Sequence, residues 1–161
     1  MAAFDHTEEE RGGHVGDFAV LEQGEILTRK LAARFGPAAK AEEGARLLVI
    51  APGVTMLRVG EPLRCHTVLL PGEQGGLLTA IHARGAVSYG LSGRDTITLS
   101  SREGRRMWVA VQRELVRLDG TVLERQELPV RIPEWADQMH TLALAGAMLL
   151  LGAQTWELDK F

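Results

Sequence analysis

The chain has 161 residues, 45% of them hydrophobic and 24% charged, which is enough for one domain with a sizeable core. A formal net charge of -3 argues against the basic surface that nucleic-acid binding usually needs, and the single cysteine, Cys65, excludes both an intrachain disulfide and a cysteine zinc cage. The apolar run AGAMLLLGA near the carboxy terminus is too short to span a bilayer, and the amino terminus lacks the basic and apolar regions of a secretory signal. A cytoplasmic protein with neither nucleic acid nor membrane as partner is expected.

Residues 1–16 are acidic and glycine-rich without a period, and are read as a flexible arm. His6, Glu10 and His14 recur there at i, i+4 and i+8, with Asp17 close behind. On a helix they would line up two imidazoles and a carboxylate, which are ligand types for a divalent metal. Gly12-Gly13 interrupts such a helix, and the spacing matches no metalloprotease pattern. No metal, cofactor-binding or catalytic residue is therefore assigned.

Residues 17–161 read as a single β-repeat domain. Short apolar runs punctuated by Gly or Asp-Gly predict many short strands and tight turns. LLVIA (Leu47 to Ala51), MWVAV (Met107 to Val111) and MLLLGA (Met148 to Ala153) are continuously apolar, as in strands covered on both faces. TITLS, TWELD, VRLD and LERQEL mix polar with apolar residues and belong nearer a surface. Proline marks the loops at Pro37, Pro71 and Pro133. PAAKAEEG (Pro37 to Gly44) predicts a short helix, PEWADQ a single turn, and PGEQGG no substantial helix because half of it is glycine.

The chain also repeats itself imperfectly. Arg46 to Arg64 aligns with Arg106 to Glu124 at an offset of 60 residues, with Arg46/Arg106, Val49/Val109, Gly60/Gly120 and Leu63/Leu123 identical. Phe18 to Leu27 gives a third, shorter copy. The division is a leading partial copy, 18–45, and repeats 46–101 and 106–161. The segments ELVRLDGTVLERQELP and MHTLALAGAMLLLGAQTWELD resemble β-propeller blade sequence. That resemblance implies an inner strand at TLALA, a buried strand at MLLLGA and a third strand at TWELD, although Trp156 is followed by Glu157 where the commonest propeller family has aspartate. About 12 to 14 strands would make roughly three and a half blades, fewer than a closed propeller has. The expected fold is all-β, built from imperfect tandem repeats of short antiparallel strands like a propeller fragment, with a β-sandwich or barrel as the alternative. A fragment of that kind must close on itself, oligomerise or dock on a partner.

Motifs for chemistry are sparse. His66, His82 and His140 are scattered, and adjacent Cys65 and His66 point to opposite faces of a strand. Ser88, Ser92, Ser100 and Ser101 lack a nucleophile-elbow context, and GEQGG lacks the Lys-Ser/Thr of a phosphate loop. Trp108 and Trp156 read as core. Trp135 sits in a loop between Glu134 and Ala136, where an exposed indole would anchor a partner. Trp135 and Glu134, with Gln74 in the Pro71 loop, form the expected partner-binding set. The function expected is a non-catalytic structural or scaffolding module that binds another protein or forms a homo-oligomer through loops and sheet edges. The alternative is a metal-dependent enzyme or small-ligand binder using the amino-terminal His and acidic cluster.

Overall fold

The computed structural model describes residues 16–58 and 60–161. In chain order it contains β1 (Gly16–Leu21), α1 (Ile26–Phe35), a 3-10 turn (Ala41–Glu43), β2 (Ala45–Ile50) and β3 (Leu63–Pro71). A 3-10 run (Gly72–Ala80), β4 (Ile81–His82), β5 (Gly85–Gly90), β6 (Ile97–Glu103) and β7 (Arg106–Val111) follow. The chain ends with the ribbon β8 (Leu115–Val116) and β9 (Val122–Leu123), β10 (Gln126–Arg131), α2 (Gln138–Leu150) and a last 3-10 helix (Thr155–Lys160). The main sheet runs β1-β2-β3-β5-β6-β7-β10, with β4 beside β3. Its first five strands are parallel and the β6-β7-β10 end is antiparallel.

The sheet curls around α2. Every residue from Thr141 to Leu150 is buried, and this one helix packs on α1 and on β2, β3, β5 and β6. Its contacts with four successive strands lie on the inside of the half-barrel that the sheet forms. Helix forms here because Leu, Ala and Met are strong helix formers and because Asp137 caps the first turn, its Oδ1 accepting the His140 N–H at 2.8 Å. Gly146 sets the approach to the sheet. A Cβ there would sit 2.9 Å from Ile97 Cδ1 and 3.1 and 3.2 Å from the Leu69 methyls. The helix stops at Gly152, which has φ of 103°. Beyond its end, the β8-β9 ribbon supplies donors. Leu118 N–H reaches the Leu150 carbonyl at 3.0 Å, and the Arg117 guanidinium reaches that of Ala153 at 2.9 Å.

The outer face of the sheet is covered unevenly. Over β1 to β3, residues Ala19, Leu48, Ile50, Val68 and Leu70 form a second core with Leu77, Val54 and Leu57, carried by the crossover after β2 and the 3-10 run after β3. Both sheet edges are occupied by the chain itself. The Phe18 carbonyl of β1 accepts the Ala39 N–H at 2.8 Å, and the last 3-10 helix packs on β10. Arg34 of α1 clasps Glu157 of that helix at 2.8 Å.

These observations correct the expected all-β fold. The protein is a mixed structure, 36% strand and 28% helix, with ten strands among the described residues. The propeller resemblance fails because TLALA and MLLLGA are one continuous helix and TWELD is 3-10. Beyond the strands at Leu47 to Ile50 and Met107 to Val111, the aligned copies take unrelated conformations. Phe18 to Leu27 is a strand entering a helix, Val54 to Leu63 is largely a crossover loop, and Glu114 to Leu123 is the two-stranded ribbon. Gly72–Ala80 is two short 3-10 turns joined across a kink at Gln74, so PGEQGG itself forms no substantial helix, and the helix expected after Pro37 shrinks to Ala41–Glu43. The loops after Pro37, Pro71 and Pro133 accordingly do not occupy equivalent places. The expected amino-terminal arm, apart from Gly16, lies outside the described residues.

Because Gly146 is where α2 meets the sheet, Gly146→Val is expected to destabilise the protein by about 1–3 kcal/mol through overpacking against Leu69 and Ile97. Urea unfolding followed by circular dichroism measures this; an unchanged midpoint would remove the close approach as a constraint.

Candidate functional site

In open sheets with parallel strands, ligands usually bind beyond the carboxyl ends of the strands. In this chain the polar groups there serve the fold. Glu22, just after β1, occupies the amino terminus of α1, its carboxylate accepting the Leu27 N–H at 3.0 Å, the Thr28 N–H at 2.8 Å and the Thr28 hydroxyl at 2.6 Å. An anion that would otherwise find that helix end is replaced by the protein's own carboxylate. Tyr89, buried on β5, donates its hydroxyl to the Ile50 carbonyl at 2.6 Å. Burial, followed by the charge of Asp137, pushes that phenol well above its ordinary range.

Asp95 is 5% exposed and lies where β3 and β5 end. A Cβ on Gly72 would fall 1.9 Å from its Oδ1, and one on Gly90 would fall 2.5 Å from its Oδ2. Glycine at both positions is therefore a matter of space. The same carboxylate accepts the Ser92 N–H at 3.1 Å, while Gln112 Nε2 donates to the carbonyls of Gly93 and Asp95 at 2.9 and 2.8 Å. The β5-β6 loop is thus a locked turn.

The remaining candidates do not assemble into a reactive set. Cys65 is half-buried and burial pushes its thiol up to about 11, which leaves it protonated and unreactive at neutral pH. His66 is held below the usual imidazole range by burial and then by Arg84 and Arg46. Its Nδ1 lies 2.9 Å from Thr67 Oγ1. His82 is exposed on β4, and His140 pairs with Asp137 at 2.8 Å on α2. The Ser88 hydroxyl accepts the Thr96 N–H, that of Ser92 accepts the Arg94 N–H, and that of Ser100 donates to Glu127. Of the amino-terminal cluster, His6, Glu10 and His14 lie outside the described residues, and Asp17 sits 3.7 Å from Arg46. Among the described residues no group of three or more His, Cys, Asp or Glu is placed to hold a metal, and no helix is long and apolar enough to cross a membrane. A surface groove of about 340 Å³ runs beneath the crossover after β2, lined by Leu21, Glu42, Met56, Arg58 and neighbours, and adjoins one of about 280 Å³ through Glu42, Arg58 and Leu63.

The expected partner-binding set is not brought together. Trp135 is half-buried, packs against the main core and carries Lys30 of α1 over its ring at 5.9 Å. Glu134 is exposed, with its carbonyl taken by Arg105 at 3.4 Å. Gln74 lies in the 3-10 run after β3, and no hydrogen bond joins it to either residue. The indole that stands out on the sheet is Trp108. On β7, Met107, Val109 and Val111 enter the core, so Arg106, Trp108 and Ala110 face outward. Trp108 is 42% exposed and is flanked in register by Ser101 on β6 and Pro129 on β10. Reading MWVAV as buried on both faces missed it. The alternation of Arg106, Trp108 and Ala110 against Met107, Val109 and Val111 carried the signal.

No protein-family model and no curated protein matches this sequence. Function must come from the geometry.

Tyr89 is the only tyrosine in the chain, so its ionisation can be followed by ultraviolet absorbance. A folded-state value above the unfolded one of about 10 contributes stability in full below that pH and loses it as pH rises. Tyrosinate absorbance is expected to appear only with alkaline unfolding, and Tyr89→Phe to cost about 1–3 kcal/mol at neutral pH by orphaning the Ile50 carbonyl. Titration near pH 10 in the folded protein would contradict the buried hydrogen bond.

Proposed function

We propose that this protein is a non-catalytic protein-binding module whose docking surface is the outer face of β6, β7 and β10. The exposed Trp108 indole carries this proposal. A large aromatic side chain held on a rigid strand, among short neighbours that leave its ring accessible, is the kind of residue that dominates protein interfaces. The second core covers the outer face over β1 to β3, whereas at the antiparallel end Ser101, Trp108, Glu127 and Arg131 are exposed. Trp156 is more exposed, at 61%, but Lys160 lies over its ring at 4.9 Å.

A photo-crosslinking amino acid placed at position 108, with position 156 as control, tests the proposal in the cells that make the protein. A discrete adduct at 108 that is absent at 156 is expected. No adduct at 108, in a variant that folds normally by circular dichroism, would overturn it.

A further inference from the structure

Resting on the docking role proposed above, we infer that the occupant of this face is a second copy of the same chain, stacked face to face about a two-fold axis that runs across the strands along the row Ser101, Trp108, Pro129. The register places three outward rows on β6, β7 and β10. They are Thr98, Ala110 and Glu127; then Ser101, Trp108 and Pro129; then Glu103, Arg106 and Arg131. Rotation about the middle row sets each residue of the first row opposite the third row of the copy. Glu127 then faces the copy's Arg131, and Arg131 faces the copy's Glu127, which makes two ion pairs per dimer. Thr98 is already buried within the chain, the short Ala110 leaves room for the copy's longer Arg106, and Trp108 meets its own counterpart on the axis. Such a surface is complementary to itself in charge and in size, as an isologous interface must be.

Glu127 is exposed, and one of its carboxylate oxygens accepts the Ser100 hydroxyl, which leaves the other for the copy's Arg131. The exposed Arg131 side chain makes no hydrogen bond or ion pair among the described residues, so its charge is available. Arg106 is already held by Asp159 at 3.2 Å. An axis parallel to the strands is disfavoured, because it would set Arg106 against the copy's Arg106. Pro129 at the centre of β10 cannot donate a ladder hydrogen bond, which favours stacking of faces over continuation of the sheet through that strand. Three strands of six or seven residues present a face of roughly 15 by 20 Å. This is smaller than a standard interface, so the dimer is expected to be weak and concentration-dependent.

Light scattering coupled to size exclusion, on the full chain over about a hundredfold range into the high micromolar, tests this. The mass is expected to rise from monomer to dimer. Trp108→Ser and Arg131→Glu should each weaken association on the order of tenfold with unchanged circular dichroism, and the exchange Glu127→Arg with Arg131→Glu should restore it. A wild-type monomer throughout, or a dimer indifferent to Arg131→Glu, would overturn the inference. Rescue of Arg131→Glu by Glu103→Arg instead of Glu127→Arg would overturn the axis. If position 108 crosslinks to a different protein, the self-association fails while the docking role stands; if it crosslinks to nothing, both fail.

Discussion

Burial of α2 is the constraint on which the rest of the structure depends. Leu142, Leu144, Leu149 and Leu150 are each removed from water almost completely, worth about 1.5–3 kcal/mol apiece, and the strands that cover them have to curl to do so. The curl places α2 inside the half-barrel, and it explains why Gly146 stands where Leu69 and Ile97 press closest. It also turns the outer face of the sheet outward over its whole width. Crossover segments cover the parallel end of that face because parallel strands need long connections, and those connections have to lie somewhere. Antiparallel β6, β7 and β10 are joined without such crossovers, so among the described residues no crossover segment lies over Trp108. The open face with Trp108 thus follows from topology as much as from composition.

Local features were legible in the sequence where one residue decides a local conformation. The glycine expected to end the segment after Pro37 is Gly44, with φ of 90°, and the turn after Pro133 closes with the Ala136 N–H on the Pro133 carbonyl at 3.1 Å. Leu47 to Ile50 and Met107 to Val111 are strands. Strand direction was not legible. The first of these lies between parallel neighbours and the second between antiparallel ones, although their sequences align residue for residue. Similarity at that level reports apolar strands of one length, and many architectures use such strands.

The largest misreading has a physical source. Leu142 to Ala153 is an unbroken apolar stretch, and a segment buried on all sides loses the periodicity that separates helix from strand. Length was the remaining clue, because twelve continuous apolar residues suit a core helix better than a strand. The exposure of the two loop and strand tryptophans was hard to read for a related reason. Trp135 was placed in a loop correctly, but a loop leading into a buried helix must itself pack, and Lys30 and the core claim its ring. Trp108 was lost because one outward tryptophan among apolar neighbours looks like core in one dimension.

The position of α2 in the chain has a consequence for biosynthesis. The helix that fills the half-barrel follows all ten described strands in the chain, so every one of them leaves the ribosome before the surface the sheet must wrap exists. Until residue 150 has been made, the inner faces of β2, β3, β5 and β6 have no partner, and the nascent chain carries an exposed apolar sheet or no sheet at all. A chain that stops before α2 lacks its core, not its tail, and should be treated by the cell as unfolded protein.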